Sequence, residues 1–137
     1  MSEENVRLVQ RIYENLNDAY KTGDYMQLAE DFCHPDVVLK TSGMFPETGD
    51  YTGYEGLRAF TANQADSLEQ MWANPAEFID AEDRVVVPLQ FGGTARHTGI
   101  EAAFSVVHVW TIRDRRVSRL DMYRDREEAL DAVGLEE

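Results

Sequence analysis

The chain has 137 residues, 43% of them hydrophobic, enough for one compact domain with a core and one internal cavity and too little for two. Its 26 acidic against 13 basic side chains give a net charge of −13, and that excess repels phosphate backbones and anionic lipid, so neither nucleic acid nor a membrane is an expected partner. The start MSEENVRL lacks a charged-then-apolar leader pattern and no long apolar run occurs, which makes the cytoplasm the expected location, while the single cysteine, Cys33, excludes an internal disulfide and reads as a packed thiol.

Ser2, followed by Glu3 and Glu4, is placed to cap a first helix, along which Val9, Ile12, Leu16 and Ala19 repeat at helical spacing until Gly23 stops it. Asp24 and Gln27 mark a second start, for a shorter helix that carries Leu28, Ala29 and Phe32 and must end before Pro35. Val37, Val38 and Leu39 read as a strand. The stretch SGMFPETGDYTG that follows is dense in turn formers, yet it holds Met44 and Phe45, which suit a lid over a cavity or a loop docked on the body of the domain.

Thr52 and Glu55 have capping-box spacing, and Leu57, Phe60, Gln64, Leu68 and Met71 continue one face of a third helix to about Trp72. Beyond Asn74-Pro75 the pattern changes to strands over residues 76–81 and 84–91. After the bend GGTARHTG come strands over residues 102–112 and 117–123, joined at Asp114-Arg115. Asp125 caps a closing helix through Glu128, Ala129, Leu130 and Val133 to Gly134. Arg113, Arg115, Arg116, Arg119, Arg124 and Arg126 crowd this end, but Asp114, Asp121 and Asp125 interleave them, as on a self-neutralising hairpin. The order predicts an α+β fold with helices gathered on one face of a curved antiparallel sheet.

The ending VWTIRDRRVSRLDMYRDREEALDAVGL resembles the closing hairpin and helix of SnoaL-like proteins in the nuclear-transport-factor-2-like superfamily, where W-x-x-R-D-G-[KR]-[IV] leads into Y-x-D-x-x-E-A-L-x-A-x-G-L. The segments NDAYKTGD, FCHPDV, TGYEGL and GGTARHTG extend the similarity along nearly the whole chain. The resemblance implies one domain over residues 1–137: a cone whose curved sheet wraps the N-terminal helices around an apolar pocket, with a homodimer packed through the sheet. Polyketide cyclases, ketosteroid isomerase, limonene epoxide hydrolase, dehydratases and non-catalytic modules share that fold, so the function has to be read from the site.

In SVVHVWTI the side chains alternate, placing Val106, His108, Trp110 and Ile112 on one face and Val107, Val109 and Thr111 on the other. The resemblance turns the first set to the pocket. If Asp114-Arg115 is a two-residue hairpin loop, His108 lies across from Asp121, and the pair forms a dyad able to act as general acid or base. If instead the loop takes one more residue, with a bulge at Arg116, His108 faces Met122 and Asp121 turns to the other side. The likeness to limonene epoxide hydrolase, whose catalytic aspartate falls at Met122, favours the second register. The same carry-over places that enzyme's tyrosine and asparagine at Leu39 and Thr41 and the ketosteroid isomerase base near Thr41, so both known chemistries have lost their acids and bases here.

The expected site is therefore His108 and Asp121 as candidate catalytic residues, with Leu16, Thr41, Phe60, Val106, Trp110, Leu120 and Met122 as the lining for a small hydrophobic molecule. Tyr13 and Tyr123 are further phenol donors. His34, Asp36 and Cys33 match no metal-site spacing, and no cofactor is expected. The function that follows is a cofactor-free isomerase, cyclase or dehydratase using His108; the alternative is a ligand-binding or dimerising module. Val107, Val109 and Thr111 would leave apolar surface in water unless a second copy covered them.

Overall fold

The computed structural model describes residues 2–41 and 50–135. Helix α1, Ser2–Thr22, buries Leu8, Val9, Ile12, Tyr13 and Ala19, with Leu16 partly buried between the last two, and this helical repeat keeps one stripe against the sheet. It stops where Gly23 takes a φ of +81° and its N–H reaches back to the Ala19 carbonyl at 2.7 Å. Helix α2, Tyr25–Phe32, is capped by Asp24, whose carboxylate accepts from the Gln27 N–H at 3.2 Å, and the chain turns extended at Cys33, ahead of Pro35. Strand β1, Cys33–Lys40, and the short β2, Asp50–Thr52, pair antiparallel. The expectations for Met44 and Phe45 fall outside the described residues.

Helix α3, Gly53–Ser67, starts and ends differently from the sequence reading. Thr52 holds the N-cap position without a side-chain hydrogen bond, so the expected capping box does not form. The helix also stops at Ser67, and Leu68–Pro75, expected as its last turns and a loop, is strand β3. Leu68 and Met71 fit a helical stripe, but pairing with a long neighbouring strand overrides that local preference. Gln70, at a φ of 52°, marks the irregularity between Glu69 and Trp72 in this pairing. The free edge of β3 is held by α1: the Asn17 amide accepts from the Ala73 N–H at 2.9 Å and donates to the Ala73 carbonyl at 2.8 Å.

Strand β4 is only Ile79–Ala81, and β5, Arg84–Ala95, runs straight through Gly92 and Gly93, where a bend was expected. Those glycines are needed for close approach. A Cβ on Gly92 would lie 2.1 Å from the Ala102 carbonyl oxygen and 2.8 Å from the Trp72 ring. Strands β6, Glu101–Arg113, and β7, Arg116–Tyr123, complete a sheet of order β2-β1-β7-β6-β5-β3 with β4 on β5. The β1–β7 pairing is parallel, so the sheet is mixed and not wholly antiparallel.

The helices pack on the concave face over Val85, Val87, Leu89, Val106, Trp110, Leu120 and Met122. The closing helix α4, Arg126–Ala132, is capped by Asp125 at 2.8 Å from the Glu128 N–H and lies on the convex face. Its Ala129 and Leu130, with Val133 just beyond, cover Val86, Val107 and Val109, which are 4% exposed or less. That corrects one expectation: the chain itself covers Val107 and Val109, and a second copy is not needed to keep them from water. Val85, Val86 and Val87 can be an unbroken apolar run because both faces of β5 are covered at that point.

Candidate functional site

His108 pairs with Met122, Val109 with Asp121 and Trp110 with Leu120, which is the second of the two registers. The structure joins the turn of the first reading to the register of the second, and the longer loop is not formed. Asp114 and Arg115, at φ 52° and 65°, form the two-residue turn between the partners Arg113 and Arg116. The extra residue is Ser118, not Arg116: the ladder shifts between Ile112, paired with Val117, and Thr111, paired with Arg119. Asp121 consequently points to the convex face, where the Arg119 guanidinium grips it with two hydrogen bonds at 2.8 and 3.0 Å. The His108–Asp121 dyad is not formed.

What His108 meets is Tyr13, brought from α1. The Tyr13 hydroxyl lies 2.7 Å from His108 Nδ1 and 2.9 Å from Trp110 Nε1. The indole N–H only donates, so the Tyr13 oxygen accepts from Trp110, and because His108 Nδ1 is the one acceptor in reach of the buried phenol proton among the described residues, we assign that proton to it. An imidazole that accepts at Nδ1 carries its proton on Nε2. Rings fix this relay mechanically: Tyr13 and His108 are near parallel at 10°, and Trp110 stands across them at 87° and 83°.

Charge is kept out of the relay. Burial pushes the His108 pKa down to about 3, and the Tyr13 phenol goes well above its ordinary value, also by burial. At neutral pH the histidine is a neutral donor at Nε2, and that nitrogen has no hydrogen-bond partner among the described residues. His108 lines an apolar cavity of about 130 Å³ between the helices and the concave sheet. A space of that order holds one small ring, as a ~150 Å³ apolar cavity holds benzene.

Of the expected lining, Leu16, Phe60, His108, Trp110, Leu120 and Met122 do form the wall. Val106 and Thr41 do not: Val106 is packed in the core beside Leu89, and Thr41 is fully buried with its hydroxyl unpartnered among the described residues. The wall also includes Tyr20, Tyr25, Arg58 and Gln64, which the sequence reading did not place there. Tyr13 was legible as a phenol but not as the partner of His108. Its position four residues after Val9, on the inner stripe of α1, was the available signal. Cys33 is in the wall as a protonated thiol, its pKa raised to about 12 by burial. His34 donates through Nε2–H to the Arg113 carbonyl, 2.5 Å away, and among the described residues no group of three or more His, Cys, Asp or Glu is placed to hold a metal ion. No described helix is long and apolar enough to cross a membrane.

A half-open mixed sheet coned around three helices, with an apolar pocket at its centre, defines a nuclear-transport-factor-2-like protein. The SnoaL-like domain family matches residues 9–120, and the chain belongs to that family. No curated protein matches it in sequence. Among solved structures, a nuclear-transport-factor-2-like protein of unknown function from Burkholderia pseudomallei is 27% identical, with 98% of this chain and 99% of that one covered at a TM-score of 0.75. TerC, co-crystallised with polyporic acid, is 26% identical over 95% and 98% of the two chains, also at 0.75. A Jannaschia protein whose name assigns it to the SnoaL-like polyketide cyclases is 16% identical over 97% and 93%, again at 0.75, a likeness of fold alone.

Proposed function

We propose that this chain binds a small apolar molecule bearing an oxygen acceptor, which the Nε2–H of neutral His108 receives at the depth of the cavity. The observation that carries this reading is the Trp110–Tyr13–His108 relay, which occupies Nδ1 and leaves Nε2–H free to donate. In a mostly apolar wall a donor held in place by such a relay selects ligands by their acceptor. The co-crystallisation of TerC with polyporic acid supports an organic ligand for a pocket of this kind.

The test is a pair of shape-matched probes, acetophenone and ethylbenzene, titrated by calorimetry or tryptophan quenching. Acetophenone should bind about two- to tenfold more tightly, the range of one neutral hydrogen bond, and His108→Phe should erase the difference. Equal binding of the two probes by the wild type would sink the reading.

A second reading, a cofactor-free isomerase, cyclase or dehydratase, draws support from the name of the Jannaschia neighbour. There a neutral imidazole would polarise a carbonyl, as an electrophile and not as a base. It requires a separate proton acceptor, and the wall described here contains no carboxylate. Self-association through the part of the convex face that α4 leaves uncovered, where Trp72 is 37% exposed, belongs to the same proposal. Sedimentation that finds only monomer at roughly tens of micromolar, a range set by ordinary interface affinities, would contradict it.

A further inference from the structure

Helices α2 and α3 contribute Tyr25, Met26 and Leu28, and Leu57, Thr61 and Gln64, to the cavity wall as half-buried lining. Arg58, on α3, is part of this wall and is exposed, so its aliphatic stem borders the apolar space while its head reaches water. It is the one charged residue lining the cavity among the described residues. Arg7, Lys40, Arg84, Arg96, Arg113, Arg119 and Arg126, by contrast, each have a carboxylate within ion-pair distance. Glu55, three residues earlier on the same helix, is spaced to pair with Arg58, yet no ion pair or side-chain hydrogen bond of the guanidinium forms among the described residues. A chain with a net charge of −13 has carboxylates to spare, yet among the described residues none is paired with this exposed cation in the wall of an apolar cavity.

We infer that Arg58 is a specificity residue: the ligand is an apolar carboxylic acid whose carboxylate stays on the exposed guanidinium while its inner oxygen acceptor reaches His108. This rests on the pocket reading above and adds the charge of the ligand. The guanidinium fork matches a carboxylate with two parallel hydrogen bonds, and the apolar rim removes part of the competing water. The chain's overall field repels anions, so recognition of an acid needs a local, unpaired cation.

The experiment compares 4-acetylbenzoate with its neutral analogue 4-acetylbenzamide on the intact protein. Wild type should favour the benzoate about three- to tenfold at low salt, and the preference should collapse near 0.5 M salt, where screening acts within a few ångströms. Arg58→Gln should remove the preference, read as the ratio of the two affinities in the same variant, with Tm unchanged, since the side chain is exposed. Equal binding of both probes by wild type, or a preference that survives in Arg58→Gln, overturns the inference and leaves the pocket reading standing. If neither probe binds, the pocket reading falls and the inference falls with it.

Discussion

Tyr13→Phe, the loss of one oxygen atom, is expected to lower the unfolding free energy by about 2–4 kcal/mol and Tm by on the order of 10 °C. The hydroxyl is a hub: it takes the Trp110 N–H and supplies the proton to His108 Nδ1. Tyr13 is 2% exposed, Trp110 6% and His108 8%, so water cannot replace it without opening the core. Phenylalanine would leave a buried donor and a buried acceptor unsatisfied together, each costing about 1–3 kcal/mol. Trp110→Phe is the internal comparison, because it removes a donor and leaves Tyr13 still bonded to His108. Urea denaturation of both variants at neutral pH checks the claim. A loss below about 1 kcal/mol for Tyr13→Phe, or no difference from Trp110→Phe, would mean that the relay contributes nothing beyond packing.

The second large effect is the loss of stability in acid through His108. Folding lowers its pKa from the ordinary 6.5 to about 3, because burial disfavours the imidazolium. The unfolded chain therefore binds a proton that the folded chain refuses. The stabilisation is fully present above the unfolded value and is lost as pH falls from there toward the folded one. At pH 5 the loss from this group alone is roughly 2 kcal/mol, and at pH 3 it is about 4 kcal/mol. The many carboxylates of the chain titrate over the same range, so the diagnostic is the difference between wild type and His108→Gln. Wild type should lose about 2 kcal/mol more than the variant between pH 7 and pH 5. Parallel pH profiles would show that His108 is hydrated and ordinary.

The parts of this fold that local chemistry dictates were readable in advance. Gly23, the Asp24 cap, Pro35, the Asp114-Arg115 turn and the Asp125 cap each act within a few residues, and the elements they bound appear where expected. Leu68–Pro75 was misread because its apolar residues satisfy two periods and it contains no β-branched residue. Only the partner β5 makes it a strand. The site divides in the same way. His108 and Trp110 stood out on one face of a strong strand. The contact of Tyr13 with His108 spans 95 residues of sequence and depends on how α1 crosses the sheet. The register of β7 could be narrowed to two choices but not chosen from the turn rules, because the structure combines the two-residue turn, which pointed to Asp121, with a bulge further along the strand that restores the Met122 register.

That bulge gives β7 an uneven tolerance to changes of chain length. Ser118 is the surplus residue between Val117 and Arg119, and its removal would leave every later pairing intact, from Arg119 on Thr111 to Tyr123 on Val107. Losing Leu120 instead, with the bulge retained, would bring Asp121 across from Trp110 and put a carboxylate in the wall of the cavity, while Met122 turned outward. Descendants of this sequence can thus shed one codon silently at residue 118. The same accident two codons later would exchange an apolar pocket for an acidic one, a change of chemistry without a single substitution.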